Sequence, residues 1–342
     1  MSELLLRTTS EGDLPALSEL TEVVFGRRRS VELLRWLVLG GDTGVALESR
    51  VAVRDGRVVG HAGFLSGRYR WGARIAVGVH PILWMVAPEA RGQAGMQLGG
   101  WCTDRGDFSL VIGGTPMSQP ILDRRRFVRG GVAVELRLPT AGAPADGEWE
   151  LAPWEETDAA IEPRGAGPGS APPEPRPQVG AAAATSRKDP RRRPEREAAR
   201  GPSSGAAPVR HLPAPSRLRW LAACPALEAR LLTLRREGRS IGPVVLFVDR
   251  RPGPPRGRVV HLPDVETDLA GALRCVLAAL AAAGCASASY LTTAPEQWAA
   301  AESLGGEPFY ERPILYRDQA GLQAPPGWHL SYLEGDLAYR RL

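Results

Sequence analysis

The chain has 342 residues, enough for two domains, and its 43 lysine and arginine residues against 38 aspartate and glutamate give a formal charge of +5 at pH 7. Lys188 is the only lysine, and the arginines do not gather into a stripe on one predicted element, so a nucleic-acid partner is not expected. Four cysteines without a CxxC or a metal-like spacing exclude a disulfide framework and predict no metal, and no apolar run approaches the roughly 18 residues of a membrane span.

The elements follow in chain order. Leu4 to Leu6 reads as a short strand, and Ser10-Glu11-Gly12-Asp13 as a capping box before a helix carrying Leu14, Leu17, Leu20 and Val24. Ser30 can cap a second helix with Leu33, Leu34, Trp36 and Leu37. Two β-branched runs flank Asp55-Gly56 in Val51 to Val59, a strong hairpin signal. A second hairpin turns at Gly72, with Tyr69 and Trp71 leading in and Ile75 to Val77 returning. Ile82 to Val86 reads as a buried strand, Pro88 opens a loop into a helix, and Phe108 to Ile112 and Val132 to Leu138 are further strands.

From Pro139 to Pro215 the periodicity fades into proline, alanine, glycine and segregated charge, a composition that cannot bury enough apolar surface to offset its ordering entropy. This stretch is expected to be a tether, with Trp149 and Trp154 packing back onto the first domain. Order is expected to resume with a helix from Ser216 through Leu218, Trp220 and Leu221. Strands follow at Leu231 to Leu234, Val244 to Val248 and Val259 to Leu262, then a long helix capped by Thr267 and ending at Ala283, and a strand at Ser289 to Thr292. Three units result: residues 1–140, a linker 141–215, and residues 216–342.

The outer units share a plan. Leu34-Arg35-Trp36-Leu37 returns as Leu218-Arg219-Trp220-Leu221, and about twenty residues after each comes a turn, Asp55-Gly56-Arg57 or Glu237-Gly238-Arg239. Both turns lead into a β-branched residue and a glycine, Val59-Gly60 and Ile241-Gly242, so one supersecondary unit is expected twice.

The chemistry-bearing motif is Trp84-Met85-Val86-Ala87-Pro88-Glu89-Ala90-Arg91-Gly92-Gln93-Ala94-Gly95-Met96, a strand running through a tight loop into a helix. Such a loop points unpaired backbone N–H groups and the positive helix end at one spot, suited to a pyrophosphate. With the elements before it and Gly114-Thr115-Pro116 after the fifth strand, Leu4 to about Leu138 resembles the GNAT N-acetyltransferase superfamily, especially bacterial tandem members. The resemblance implies a mixed α+β fold class: two tandem GNAT-like folds, each a mostly antiparallel twisted sheet flanked by helices, joined by a disordered linker. It also implies acetyl-CoA or another acyl-CoA as co-substrate, held by Val86, Arg91, Gly92, Gln93, Ala94, Gly95 and Met96. Ala94 and Met96 stand where the family pattern has glycines, and Gly95 could shift the turn to compensate.

An acyl transfer of this kind needs a group that removes the amine's proton. Within reach of the expected cleft are His80, Glu89 and Tyr69, with His61 on the hairpin's return strand. For each a plainer role stands beside the catalytic one: a hydrogen-bonded strand-end imidazole for His80, a helix-dipole partner for Glu89, a hairpin cover for Tyr69, sheet packing for His61. The family's asparagine and tyrosine positions hold Met117 and Leu122. In the second unit Pro263-Asp264-Val265-Glu266-Thr267 lacks an arginine and a glycine pair, so the acyl-CoA loop is expected in the first unit alone. The resemblance implies a cytoplasmic N-acyltransferase acting on a small-molecule amine; the alternative is an inactive GNAT-like scaffold that binds a ligand or partner.

Overall fold

A computed structural model describes residues 3–141, 147–155, 208–322, 324–325 and 327–334. The first half opens with β1 (Leu4–Thr8), helices α1 (Leu14–Phe25) and α2 (Val31–Leu39), and strands β2 (Leu47–Arg54), β3 (Arg57–Trp71) and β4 (Arg74–Val86). Then come α3 (Arg91–Thr103), β5 (Phe108–Ile112), α4 (Gln119–Arg124) and β6 (Val128–Pro139). The second half holds β7 (Trp149–Pro153), β8 (Val209–Leu212), α5 (Pro215–Ala222), β9 (Glu228–Arg236), β10 (Arg239–Asp249) and β11 (Arg256–His261). It ends with α6 (Leu269–Ala282), β12 (Ser287–Thr292), α7 (Pro295–Ser303), β13 (Glu307–Asp318) and β14 (Trp328–His329).

Local chemistry explains the starts and stops. Ser10 donates its hydroxyl and backbone N–H to Asp13, each at 2.8 Å, and Ser30 Oγ accepts the Leu33 N–H at 3.1 Å. Gly26 and Gly40 close α1 and α2 in the left-handed conformation that a glycine adopts without strain. Asp55-Gly56 and Glu237-Gly238 both take two successive positive φ values, which joins β2 to β3 and β9 to β10 alike. The second hairpin turns after Trp71 as expected, but β4 does not break before Ile82. It runs unbroken to Val86, interrupted only by a bulge. The cap of α6 is Asp268, one residue beyond Thr267, because its carboxylate accepts the Gly271 N–H at 3.0 Å.

All fourteen described strands join one sheet, whose main path runs β1-β2-β3-β4-β5-β13-β6-β12-β11-β10-β9-β7. Along that path the ladders are antiparallel except at two places, β4 with β5 and β11 with β12. The order reads the same from either end under the exchange of halves: β1 answers β7, β4 answers β11, β5 answers β12. The two central strands are exchanged. β13 from the second half pairs with β5 of the first, and β6 from the first pairs with β12 of the second. Near this pseudo-twofold Trp36 and Trp220, the tryptophans of the repeated motif, stack with ring centroids 4.3 Å apart. Each indole N–H donates to the other's carbonyl, at 2.6 and 3.0 Å. One apolar cluster therefore runs from α1, α2 and α3 into α5 and β10, while a second lies under α6 and takes Val134, Leu136 and Leu138 from β6.

The stretch expected as tether, 141–215, contributes two strands. β7 adds to β9 at the sheet edge, where Trp149 is buried against the α6 side rather than the first half; Trp154 packs on the larger cluster that spans both halves. β8 lies along β3 beyond the reach of β2, pairing Tyr69 with His211. Short strands bounded by proline carry little sequence signal. The sheet of the second half thus begins at Trp149. Residues 142–146 and 156–207 of the expected tether, and 335–342 of the expected third unit, lie outside the described residues.

Candidate active site

β4 and β5 run side by side through only two residue pairs, Gly78 with Phe108 and Val79 with Ser109; beyond these the strands part into a fork. The β4 bulge follows further along the strand, between Ile82 and Met85. Opposite His61 and Gly63 of β3 the register slips, Leu83 takes φ 44°, and its carbonyl accepts a hydrogen bond from His61 Nδ1 at 2.9 Å. A leucine in the left-handed region is held there only by its surroundings. Gly99 of α3 leaves room for the Trp84 ring: a Cβ there would lie 2.5 Å from it. Ile121 of α4 closes on the same helix face, and Leu122, Phe127 and Leu315 complete an apolar plug with Trp84 and Val111.

The loop leaving β4 is short. Ala87 N–H donates to Val59 O at 2.9 Å, Pro88–Ala90 makes one 3-10 turn, and α3 begins at Arg91 with no side-chain cap from Ala90. Arg91, Gly92 and Gln93 are exposed in that first turn, and a Cβ on Gly92 would meet nothing within 4 Å. Val86 is half-buried at the strand end and Glu89 is exposed in the turn. Ala94 and Gly95 are buried one turn in; Gly95 faces Ile121 of α4 rather than the loop, and Met96 is half-buried. The matching helix of the second half differs in kind. Asp268 caps α6, and its other carboxylate oxygen accepts the Trp149 indole N–H at 2.7 Å. A carboxylate already sits where an anion would approach, which gives the missing loop motif a physical counterpart.

Tyr69 and His80, two of the three expected catalytic side chains, come together. Gly67 and Gly78 face each other across β3 and β4, and the Tyr69 ring lies over both because neither has a Cβ. The Tyr69 hydroxyl and His80 Nε2 share a hydrogen bond, and both residues are buried. Burial lowers the His80 pKa to about 3, although the nearby Glu334 carboxylate acts the other way, and burial raises that of Tyr69. His80 is thus a neutral imidazole at neutral pH, with its Nδ1 unpartnered among the described residues. His61 is neutral too, its pKa lowered to about 4 by burial. Glu89 is not part of this group.

Sequence reasoning missed the rest of the cluster, which the second half supplies. His211 of β8 stacks on Tyr69 with centroids 4.8 Å apart, and its Nδ1 lies 3.0 Å from Glu334 Oε1. Burial works against a charge on Glu334, yet His211, His80 and the Ser331 N–H outweigh it and hold the carboxyl below its ordinary range. Burial lowers the pKa of His261, at the end of β11, to about 4, in a setting shared with His211, Glu334, Asp264 and His329. His329 Nδ1 lies 3.0 Å from Asp264 Oδ1, and its Nε2 meets the Gln297 amide. Four of the chain's five histidines therefore meet between the halves. Their rarity was the one sequence signal available, since each stands alone in its segment. Among the described residues no group of histidine, cysteine and carboxylate side chains is arranged to hold a metal.

No protein-family model matches the sequence, and no curated protein is detectably similar to it. Solved structures do share its fold. A GCN5-related N-acetyltransferase from Anabaena variabilis superposes with a TM-score of 0.59 at 12% identity over 92% of this chain and 73% of that one. One from Kribbella flavida gives 0.56 at 15% identity, over 93% of this chain and 72% of that one. A tandem GNAT protein from the clavulanic acid biosynthesis pathway gives 0.53 at 12% identity, over 94% of this chain and all of that one. The chain has the GNAT fold in tandem, a mixed α+β architecture. Among its described residues no helix is long and apolar enough to cross a membrane.

Proposed function

We infer that this chain is an acyl-CoA-dependent N-acyltransferase whose co-substrate binds in the first half. The observation that carries the reading is the forked β4–β5 pair beside the uncapped start of α3, within a fold shared with N-acetyltransferases. Bound acyl-CoA supplies an activated thioester to an amine acceptor. Arg91 and the backbone N–H groups of Gly92 and Gln93 fit a pyrophosphate: they are exposed, no side chain caps them, and the Gly92 Cβ position is open. Val86, Ala94, Gly95 and Met96 shape the strand end and helix behind that turn. Exposed Glu89, at the mouth of the fork, is the group we assign to take the amine's proton; His80 and Tyr69, buried and bonded to each other at its root, with burial holding His80 neutral, act there as a hydrogen-bonded pair. The acceptor belongs to the class of small-molecule amines.

A second reading, an inactive scaffold, is favoured by one observation: Trp84 of β4 and Val111 of β5 are joined in one apolar cluster by Leu122, Phe127 and Leu315. Calorimetry with acetyl-CoA separates the two. The wild type should bind, and Gly92→Val should weaken binding at least tenfold without loss of fold, since the substituted side chain meets the ligand and nothing else. Ligand at 100 times its Kd should stabilise the chain by roughly 2.7 kcal/mol. No heat of binding at millimolar acetyl-CoA would leave the scaffold reading in possession.

A further inference from the structure

The first half covers one face of its sheet with α1 and α2. The second half presents α5 on the corresponding face, and among the described residues no helix takes the place of α1. There, at the end of β11 and β12 away from His261, lies a cavity of about 290 Å³. Its floor is the cross-strand row Phe247, Arg258 and Ser289, with Arg256 and Ser287 in the row beside it. Leu227 and Phe309 form apolar walls.

The charges do not cancel. Both carboxylates of the cavity are already engaged: Asp249 by the Arg251 guanidinium at 2.5 and 2.8 Å, Glu135 by Arg312 at 3.1 Å and by the Tyr332 hydroxyl at 2.6 Å. Arg258 donates its Nε–H to Ser289 at 3.3 Å, lies with its guanidinium carbon 5.2 Å from the centre of the Tyr332 ring, and adds its charge to the field on Asp249. Arg137 lies with its guanidinium carbon 5.1 Å from the centre of the Phe309 ring, and neither it nor Arg256 has a carboxylate partner among the described residues. Arg137 and Arg256 thus bring two guanidiniums without a carboxylate partner among the described residues to a concavity that Arg258 also lines, and guanidinium forks match the geometry of a phosphate or carboxylate.

We propose that this cavity is a second ligand site, which takes a small molecule bearing a phosphate or carboxylate on an apolar body. The oxyanion sits between Arg137, Arg256 and Arg258, and the body lies against Phe247 and Phe309. Its size is at the small end of ligand pockets, which suits a compact metabolite and not a nucleotide coenzyme. The site stands apart from the fork of the first half and does not depend on acyl transfer.

The probe is phenyl phosphate, titrated calorimetrically into the full chain, with phenol and inorganic phosphate as partial ligands. Phenyl phosphate should bind more tightly than either part, and the Arg137→Ala/Arg256→Ala variant should lose at least tenfold in affinity at an unchanged melting temperature. Arg57→Ala, on the distant β2–β3 turn, should bind as the wild type does. If the double variant itself melts early, Arg137→Gln and Arg256→Gln singly must each weaken binding. Absence of binding at millimolar phenyl phosphate, or binding indifferent to these arginines, overturns the proposal. So does loss of acetyl-CoA binding in the double variant, which would make the cavity part of a coenzyme site; a chain that binds phenyl phosphate but no acetyl-CoA overturns only the acyltransferase reading.

Discussion

Acid should unfold this protein through its buried histidines, and the effect can be sized. His61 and His80 are fully or almost fully buried, at 0% and 3% exposure, and burial lowers their pKa values from 6.5 to about 4 and about 3. Between those values and 6.5 the unfolded chain binds a proton that the folded chain refuses, so stability present at neutral pH is lost as pH falls through 6.5. From about pH 7 to about pH 5.5, each such histidine contributes a loss of roughly 1.2 kcal/mol, and the two together about 2.5 kcal/mol. His261 pulls the same way. Asp13, bonded to Arg7, is held at about 2. So is Asp264, where burial acts the other way but His329 and Arg210 prevail. Both add their loss only below about pH 4. Urea denaturation followed by tryptophan fluorescence at the two pH values measures the difference. His61→Asn keeps a donor for the Leu83 carbonyl but does not titrate, so it should remove close to half of the two-histidine effect. A wild-type chain whose stability changes by less than about 0.5 kcal/mol over this interval would refute the account of a dry, neutral histidine cluster.

Other expectations follow from packing. Trp36→Ala should destabilise by about 3–5 kcal/mol, and a double-mutant cycle with Trp220→Ala should show coupling of about 0.5–1.5 kcal/mol from the shared ring stack, since each indole N–H donates to a main-chain carbonyl that the other substitution leaves in place. Separate polypeptides 1–155 and 208–342, expressed together, should copurify as a folded pair and be insoluble alone, since β6 and β13 lie in each other's half; a monomeric, folded 1–155 would refute this. Asp268→Ala should cost about 1 kcal/mol through loss of the α6 cap, read as a fall in melting temperature.

The sequence was legible where a local rule acts alone. Asp55-Gly56 specified its hairpin because only special residues take two positive φ values in a row, and Ser30 specified the start of α2 through one hydrogen bond. The Arg-Trp repeat foretold the duplication, though not that its two tryptophans meet. β13 was invisible because Pro308 and Pro313 interrupt its pattern; Pro308 adjoins a bulge and Pro313 precedes the first pair with β5, where the missing N–H does least harm. The Leu83 bulge was equally hidden, for nothing in a leucine announces a positive φ. At the site, the loop residues were found because they are contiguous, and His80 with Tyr69 because one hairpin holds both. Glu334 and His211 stand far along the chain from that hairpin. Their role exists only once β8 and the residues after β14 have docked.

The exchanged central strands impose an order on synthesis. β5 is made early, yet its outer partner β13 is completed only at Asp318, so the first half waits for nearly the whole chain before its sheet can close. Until then β5 offers an open edge of Phe108, Leu110 and Ile112 to any extended segment nearby. Such late, long-range closure slows folding and lengthens exposure to aggregation. A chain stopped before Glu307 would lack more than a terminal strand: it would leave an unfilled gap at the centre of the sheet, between β5 and β6.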